Sequence, residues 1–438
     1  MTKKLLSVFA FLLLTNYSVF PAQGRQFVKV QQDRLYVANK YDASSDLIIR
    51  FRNSMFNRLM TFDCVGIAHN LSNEVDKNID RSLDYDLNYA YSDNIGPVCL
   101  SGEWIGGNHS WQNDGKTITA ETVNYLFLAD GKILHEGDEL YSDNVEVHVE
   151  NNVYYQSNDT LKKNISPILM YKEYANYKVL NGSVFVHIAH KYFEDAIGKT
   201  IDTYYGMQSM FKNEDMIKTI GGVYNKYTAV DSVKAFGSKE NDFFAFIEKN
   251  TKNQSYQSSV LLNDGIGNHE NLPEGGDVFF RGSGKSYHKL ISGLEVTPDL
   301  EYEWRGVYSW NRPYSTDDNY ELFVMEDYNS IYILLDFNDS YNGTIEFPDL
   351  NLESEYQIIH ANGDISITNI SDGRAYVSTS GGGYFIKFER AIDTPSNFYN
   401  INIKSSNKHI IYDLQGRRLY GNKKPQIIID GNKKVLKR

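Results

Sequence analysis

The sequence has 438 residues, a formal charge of −12 and an aromatic share of 14%, with 33 Tyr and 23 Phe against 9 Pro. An acidic chain repels a phosphate backbone, which excludes nucleic acid as a partner class, while a polyanionic sugar would need a local basic patch. The length passes the ~250–300 residues at which single cores stop growing, so more than one core is expected.

Residues 1–24 read as a secretory signal peptide. Lys3 and Lys4 precede the apolar run Leu5 to Leu14, and Ala22-Gln23-Gly24 fits a small-residue cleavage site. The run falls short of the roughly 18 apolar residues of a membrane span, and no later stretch approaches that length. An exported chain is expected, without a transmembrane segment. Its only cysteines are Cys64 and Cys99. In an oxidising compartment they form one disulfide, worth roughly 3–4 kcal/mol by loop closure, or stay as two separate buried thiols. Two cysteines are too few for a disulfide framework or a Cys-rich zinc site, and the sequence implies no metal or cofactor.

The segments that follow alternate with period two, the strand signature. "RQFVKVQQDRLYVANKY" alternates and turns, and "DLIIRFRN" alternates again. In "NVEVHVENNVYYQ", Val145, Val147 and Val149 share one face, with Glu146, His148 and Glu150 on the other. In "GSVFVHIAHKYF", Val184, Val186 and Ile188 oppose Phe185, His187 and Ala189. Turn dipeptides punctuate these runs: Asp114-Gly115, Asp130-Gly131, Asn181-Gly182, Asp264-Gly265, Asn342-Gly343, Asn362-Gly363 and Asp372-Gly373. Helical pattern is confined to short candidates at Met207 to Ile217 and Asn241 to Lys249. An all-β, multi-domain β-sandwich chain is expected. A large domain covers 25–338, a small sandwich 339–392, and a C-terminal domain 400–438 after a linker at Ala391 to Asn400.

The C-terminal segment carries Tyr412-Asp413-Leu414-Gln415-Gly416-Arg417-Arg418, then Ile427 to Asp430, then Gly431-Asn432-Lys433-Lys434-Val435. It resembles the C-terminal sorting domain of proteins exported through the type IX secretion system of the Bacteroidetes. The resemblance covers about 35 residues and departs from the usual pattern in having "PQIII" for the "KGIYI" strand. It implies an export machinery as partner and a secreted or outer-membrane surface destination, reached through the periplasm. It also raises the expectation of polysaccharide chemistry without naming a reaction.

Several motifs lack what their chemistry needs. "RGSGKSYHK", Arg281 to Lys289, has Phe279 where a phosphate loop needs glycine. "DFNDSYNGTIEF" has Ser340 and Tyr341 where a calcium loop needs an acid or amide and a glycine, and reads as a hairpin turn. His187 and His190 are three apart on a strand, so they point to opposite faces and do not share a metal. No G-x-S-x-G elbow is present.

The densest chemistry is "SGEWIGGNHSWQNDG", Ser101 to Gly115. Gly106 and Gly107 permit a tight turn or a close approach to a ligand. Asn108 can donate to a carboxylate. His109 belongs to the class of side chain that exchanges protons near neutrality. Trp104 and Trp111 offer faces for a sugar ring. "DTYYGMQSMF" adds Tyr205. The layout of "GGNHSW", "TITAETV" and "YYGMQ" over about residues 30–210 loosely resembles secreted and phage-associated β-sandwich proteins associated with glycans.

Three readings remain open. A polysaccharide lyase acting on a uronate chain would use Asn108 as carboxylate neutraliser, His109 or His187 as base and Tyr205 as acid. Arg281, Lys285, Arg305 and Arg312 would then hold the polyanion. A glycoside hydrolase would pair two of Glu103, Asp114, Glu194 and Asp195. A non-catalytic carbohydrate-binding protein would use aromatics such as Trp304, Tyr308 and Trp310, which share a face on a regular strand as a sugar platform or a core stripe. The lyase fits the residue types best.

Overall fold

The computed structural model describes residues 26–390 apart from a set of internal stretches, the longest being 263–277, together with the backbone of a C-terminal hairpin. The signal-like segment and Tyr412 to Arg418 lie outside the described residues. The fold is all-β: among the described residues there is no α-helix, and the strands form six sheets. The hairpin pairs Gln426–Asp430 with Lys433–Lys437.

A ten-stranded antiparallel sheet organises the molecule. Its middle strands run Glu301–Ser309, Ser183–Tyr192, Asn164–Leu180 and Val145–Asp159, each paired to the next. Asn181 and Gly182, both at positive φ (45° and 74°), close the hairpin joining two of these strands. Such angles match the twist of a tight hairpin, and Asn and Gly tolerate them.

Each face of this sheet is covered differently. On the inner face, Tyr177 and Tyr308 meet Phe62 of a six-stranded N-terminal sheet edge-on, at ring centroid distances of 6.0 and 5.4 Å. A seven-stranded sheet covers the rest of that face, and Trp304 Nε1 donates to its Tyr204 hydroxyl at 2.8 Å. The outer face meets a small C-terminal sandwich through Val260 and Val307 on one side and Phe323, Leu334 and Phe385 on the other.

The small sandwich begins at Ser315, not at 339. Ser330–Phe337 pairs along its whole length with Gly382–Arg390, so it cannot belong to the large domain. Its two sheets enclose Leu322, Ile333, Leu335, Phe347, Val377 and Ile386. "DFNDSYNGTIEF" is a crossover, not a hairpin. Ser330–Phe337 lies in one sheet, whereas Tyr341–Glu346 pairs with Arg374–Thr379 in the other.

Both helical expectations are corrected. Met207 to Ile217 spans the end of strand Thr200–Ser209 and the start of strand Met216–Ile220, and Asn241 to Lys249 is mostly strand Phe243–Asn250. The latter buries Ala245 and Ile247 on one face and Phe246 and Glu248 on the other. A strand buried on both faces loses the alternation by which strands are recognised.

Of the two states left open for the cysteines, the structure holds the second: both thiols are free. Cys64 stands in the N-terminal sheet opposite Arg50, and Cys99 in the seven-stranded sheet opposite Trp104. Different sheets hold them, and burial pushes both thiols up to about 11.

His288 gives the fold a pH limit. It is fully buried, stacked on Phe246 at 5.3 Å, and its Nδ1 lies 3.2 Å from the Met207 carbonyl oxygen. Burial pushes its pKa down to about 4 from an ordinary 6.5. The unfolded chain therefore binds a proton that the folded chain refuses. Stability is complete above pH 6.5 and is lost as pH falls toward 4, by about 3 kcal/mol for this group. Urea unfolding across that window should show the loss in the wild type and a flatter profile in His288→Phe. Equal slopes would mean that another group sets the limit.

Candidate active site

The Gly106–His109 loop is stitched in place by two side chains from elsewhere. Asn57 Nδ2 donates to the carbonyl oxygens of Gly107 at 2.8 Å and His109 at 3.0 Å. Asn57 Oδ1 accepts from Thr119 N at 3.0 Å, and Thr119 Oγ1 donates to the His109 carbonyl at 2.6 Å. These bonds satisfy buried backbone groups that would otherwise be orphaned. Gly106 is required twice over: its φ is +77°, and a Cβ would sit 3.1 Å from the Tyr171 hydroxyl. Asn108 is exposed and accepts from Phe56 N through Oδ1 at 2.6 Å, which leaves its amide nitrogen on the solvent side.

The loop follows a short hairpin of Val98–Leu100 and Glu103–Ile105. Val98 and Ile105 point into the core, so Trp104, in the opposite phase, points out and is half-buried. Strand Thr200–Ser209 pairs with Val98–Leu100 and follows the same logic. Its Tyr204 is core, and its Tyr205 faces outward, half-buried.

Three rings thereby meet on the outer face of the seven-stranded sheet. Trp104 stacks with His109 at 5.5 Å and 23°, and with Tyr205 at 5.5 Å and 9°. The turn preceding Trp104 is tied to the Tyr205 strand, since Ser101 N donates to the Thr200 carbonyl at 2.8 Å and Gly102 N to Asp202 Oδ2 at 2.6 Å. The product is a partly open shelf carrying an imidazole, an indole face and a phenol, with the Asn108 amide on the same loop as His109.

Other expected site residues are elsewhere. His187 alternates with Val186 and Ile188, which lie in the core, so it projects from the outer face of the central sheet. Tyr205 projects from the opposite side of the same core, and the two cannot act on one bond. His187 Nε2 instead meets Glu303 Oε2 at 2.9 Å, beside Arg305, whose guanidinium is 3.5 Å from the same carboxylate. Arg312 pairs with Asp42 at 2.9 Å and covers the Tyr41 ring at 5.1 Å. Arg305 and Arg312 thus serve separate carboxylates and form no common patch. The side chains of Arg281 and Lys285 lie outside the described residues.

Trp111, Trp304 and Trp310 are core residues, at 4%, 0% and 0% exposure, so none is a sugar platform. Trp111 packs edge-on against Tyr155 at 4.5 Å, and Trp310 Nε1 donates to Gln257 at 2.8 Å. The shared face of Trp304, Tyr308 and Trp310 is a core stripe.

The candidate acids do not converge in pairs. Glu103 accepts from Gln112 at 3.3 Å. Asp114 closes its own turn, accepting from Thr117 and Lys116, and these bonds hold its carboxyl down at about 2. Glu194 and Asp195 share a 3-10 turn. Among the described residues, no group of three or more His, Cys, Asp or Glu side chains gathers as metal ligands.

One polar cluster escaped the sequence reading. His190, fully buried, places Nε2 2.8 Å from Glu173 Oε2 and Nδ1 2.7 Å from the Tyr302 hydroxyl. Asn151 Nδ2 donates to the other Glu173 oxygen at 2.9 Å. The signal was available: Glu173 and His190 both sit in the apolar phase of their strands, where an unpaired charge is too costly to keep.

No family model matches the chain, and no curated protein matches it. Among solved structures, an α-galactosidase from Lactobacillus brevis aligns with TM-score 0.35 and 10% identity, over 65% of this chain and 40% of that one. The GH36 α-galactosidase AgaB from Geobacillus stearothermophilus gives 0.32 and 12%, over 65% and 41%. A chondroitin AC lyase mutant from Streptomyces coelicolor A3 gives 0.22 and 6%, over 84% and 50%. The chain spans two fifths to half the length of these proteins, and overlap this loose carries over neither a site nor a reaction.

Proposed function

We propose that the protein acts on a uronate-containing polysaccharide by β-elimination at the Trp104–His109–Tyr205 shelf. One observation carries the reading: an imidazole and a phenol from distant segments stack on the same indole, beside an exposed amide. In this scheme the Asn108 amide hydrogen-bonds the uronate carboxylate and His109 takes the C5 proton. The C4–O bond then breaks with its electron pair, the Tyr205 hydroxyl gives its proton to the departing oxygen, and a C4=C5 double bond remains. Each positioned proton transfer contributes typically 10²–10⁴-fold. The dispersed acids give a paired-carboxylate hydrolase no comparable support. The Lys3 to Leu14 segment and the Tyr412 to Arg418 motif favour export, which fractionation of the producing cell would check.

The test is ultraviolet absorbance of the unsaturated uronate during incubation with a panel of uronate polysaccharides. A rise is expected on at least one of them, reduced about 10²-fold or more in His109→Ala and in Tyr205→Phe. Full activity in His109→Ala would remove the imidazole from the mechanism. The half-buried Trp104 face also supports a second reading, a carbohydrate-binding protein without catalysis. Retention on immobilised polysaccharide, lost in Trp104→Ala, with no absorbance rise on any substrate, would select it.

A further inference from the structure

We propose that Lys289 is a specificity-determining residue of this shelf, binding the carboxylate of an acidic sugar unit at its Tyr205 end. The inference rests on the reading of the shelf as a glycan site and adds the charge class that the site selects.

Lys289 lies on strand Lys285–Ile291, directly opposite Tyr205 on strand Thr200–Ser209. Residues directly opposite on antiparallel strands share a face, with Cβ atoms about 4.5–5.5 Å apart. Its neighbours His288 and Leu290 are buried in the other phase, so Lys289 takes the outward face and is half-buried there. The order of groups is then Lys289, Tyr205, Trp104, His109, with a cation at one end and the Asn108 amide near the other.

The electrostatic setting distinguishes this lysine. Most other half-buried lysines are matched to a carboxylate, Lys29 with Glu139, Lys40 with Asp46, Lys172 with Glu150, Lys178 with Asp327 and Lys249 with Glu321, while Lys199 covers the Tyr155 ring at 4.4 Å. Lys289 makes no ion pair or hydrogen bond to any described residue, in a chain whose formal charge is −12. A partly desolvated ammonium with no counterion among the described residues attracts an anion, and one beside an aromatic shelf attracts an anion carried on a flat, hydroxylated ring. A uronate unit has that form. A polymer with one carboxylate per unit could meet Lys289 at one end of the shelf and Asn108 at the other.

The experiment measures binding of the full chain to polygalacturonate and to alginate, each beside its carboxyl-reduced neutral form, by affinity electrophoresis. Lys289→Gln should weaken binding of an acidic polymer about tenfold, the scale of one charge-assisted contact. It should also flatten the salt dependence and leave the weaker binding of the neutral form unchanged, while Lys289→Arg keeps the preference for acid. Thermal unfolding of Lys289→Gln should stay close to the wild type, since no ion pair or hydrogen bond to a described residue is removed and the glutamine keeps most of the side-chain stem. An unchanged affinity for the acidic polymer, or an equal loss for both forms, overturns the proposal. If Trp104→Ala abolishes binding while Lys289→Gln does not weaken it, only the role of Lys289 fails. If the wild type binds none of these polymers, or Trp104→Ala binds as well as the wild type, the glycan reading of the shelf fails with it.

Discussion

Replacing Glu173 with alanine is expected to destabilise the protein by about 3–5 kcal/mol, because two buried donors lose their acceptor at about 1–3 kcal/mol each and the deleted side chain leaves a cavity. The carboxylate is 2% exposed and serves two buried donors, His190 Nε2 at 2.8 Å and Asn151 Nδ2 at 2.9 Å. The donors form one continuous chain. The Tyr302 hydroxyl donates to His190 Nδ1, and His190 donates to Glu173. From the other side Met60 N donates to Thr122 Oγ1, Thr122 donates to Asn151 Oδ1, and Asn151 donates to Glu173. Every hydrogen points toward the acid, so removing the acid strands both branches away from the protein surface. Burial holds the Tyr302 phenol well above its ordinary range, which keeps it a donor.

Tyr171 stacks on His190 at 4.6 Å, and Tyr302 and Tyr204 approach its ring at 4.8 and 5.0 Å. These rings fix the imidazole, so it cannot swing to a new partner. Glu173→Gln keeps the volume but turns an amide N–H toward one of the two donors, and should recover only part of the loss. Tyr302→Phe deletes one neutral bond at the far end and should cost about 1 kcal/mol. Urea denaturation of the three variants gives the ranking. A loss below about 1 kcal/mol in Glu173→Ala would mean that water enters and replaces the carboxylate.

Period-two alternation made the central sheet legible in the sequence. Val184, Val186 and Ile188 are buried and His187 is not, as the pattern requires. The same rule placed Trp104 and Tyr205 outward, once their strands were known. It could not say that the two would stack, because that depends on Thr200–Ser209 pairing with Val98–Leu100 across a hundred residues. Pairing partners at such separations leave no local trace. The failure of the arginine patch has the same root. Arg305 and Arg312 are close in sequence, but one leans on Glu303 in its own sheet and the other on Asp42 in the N-terminal sheet. In the sequence Lys289 only ends a phosphate-loop look-alike, and its importance rests on the strand opposite.

The second large effect concerns how the small sandwich is held. Glu321 and Asp336 stand directly opposite each other on paired strands, where like charges repel. Two lysines from the edge of the central sheet relieve this. Lys218 reaches Asp336 and lies 3.6 Å from Glu321, and Lys249 meets Glu321 at 2.8 Å while covering the Tyr256 ring at 5.0 Å. Burial works against the charged form of Lys249, yet the bond and charge of Glu321 prevail and its pKa is raised. Lys218 is 7% exposed and Asp336 1%, so neither can turn to water when the other is lost. Lys218→Met should therefore cost about 3–5 kcal/mol, and the cost should fall on the junction first. All four tryptophans, Trp104, Trp111, Trp304 and Trp310, lie outside the sandwich, so their fluorescence follows the large unit alone. Amide exchange in Tyr320–Glu326 should accelerate in Lys218→Met at urea concentrations where the fluorescence is still native. Replacing both partners, Lys218→Met with Asp336→Leu, removes the buried charge along with its counterion and should restore much of the loss. If the double variant is weaker than Lys218→Met, the two charges do not act as a pair. In that case the apolar contacts of Phe323, Leu334 and Phe385 with Val260 and Val307 hold the junction by themselves.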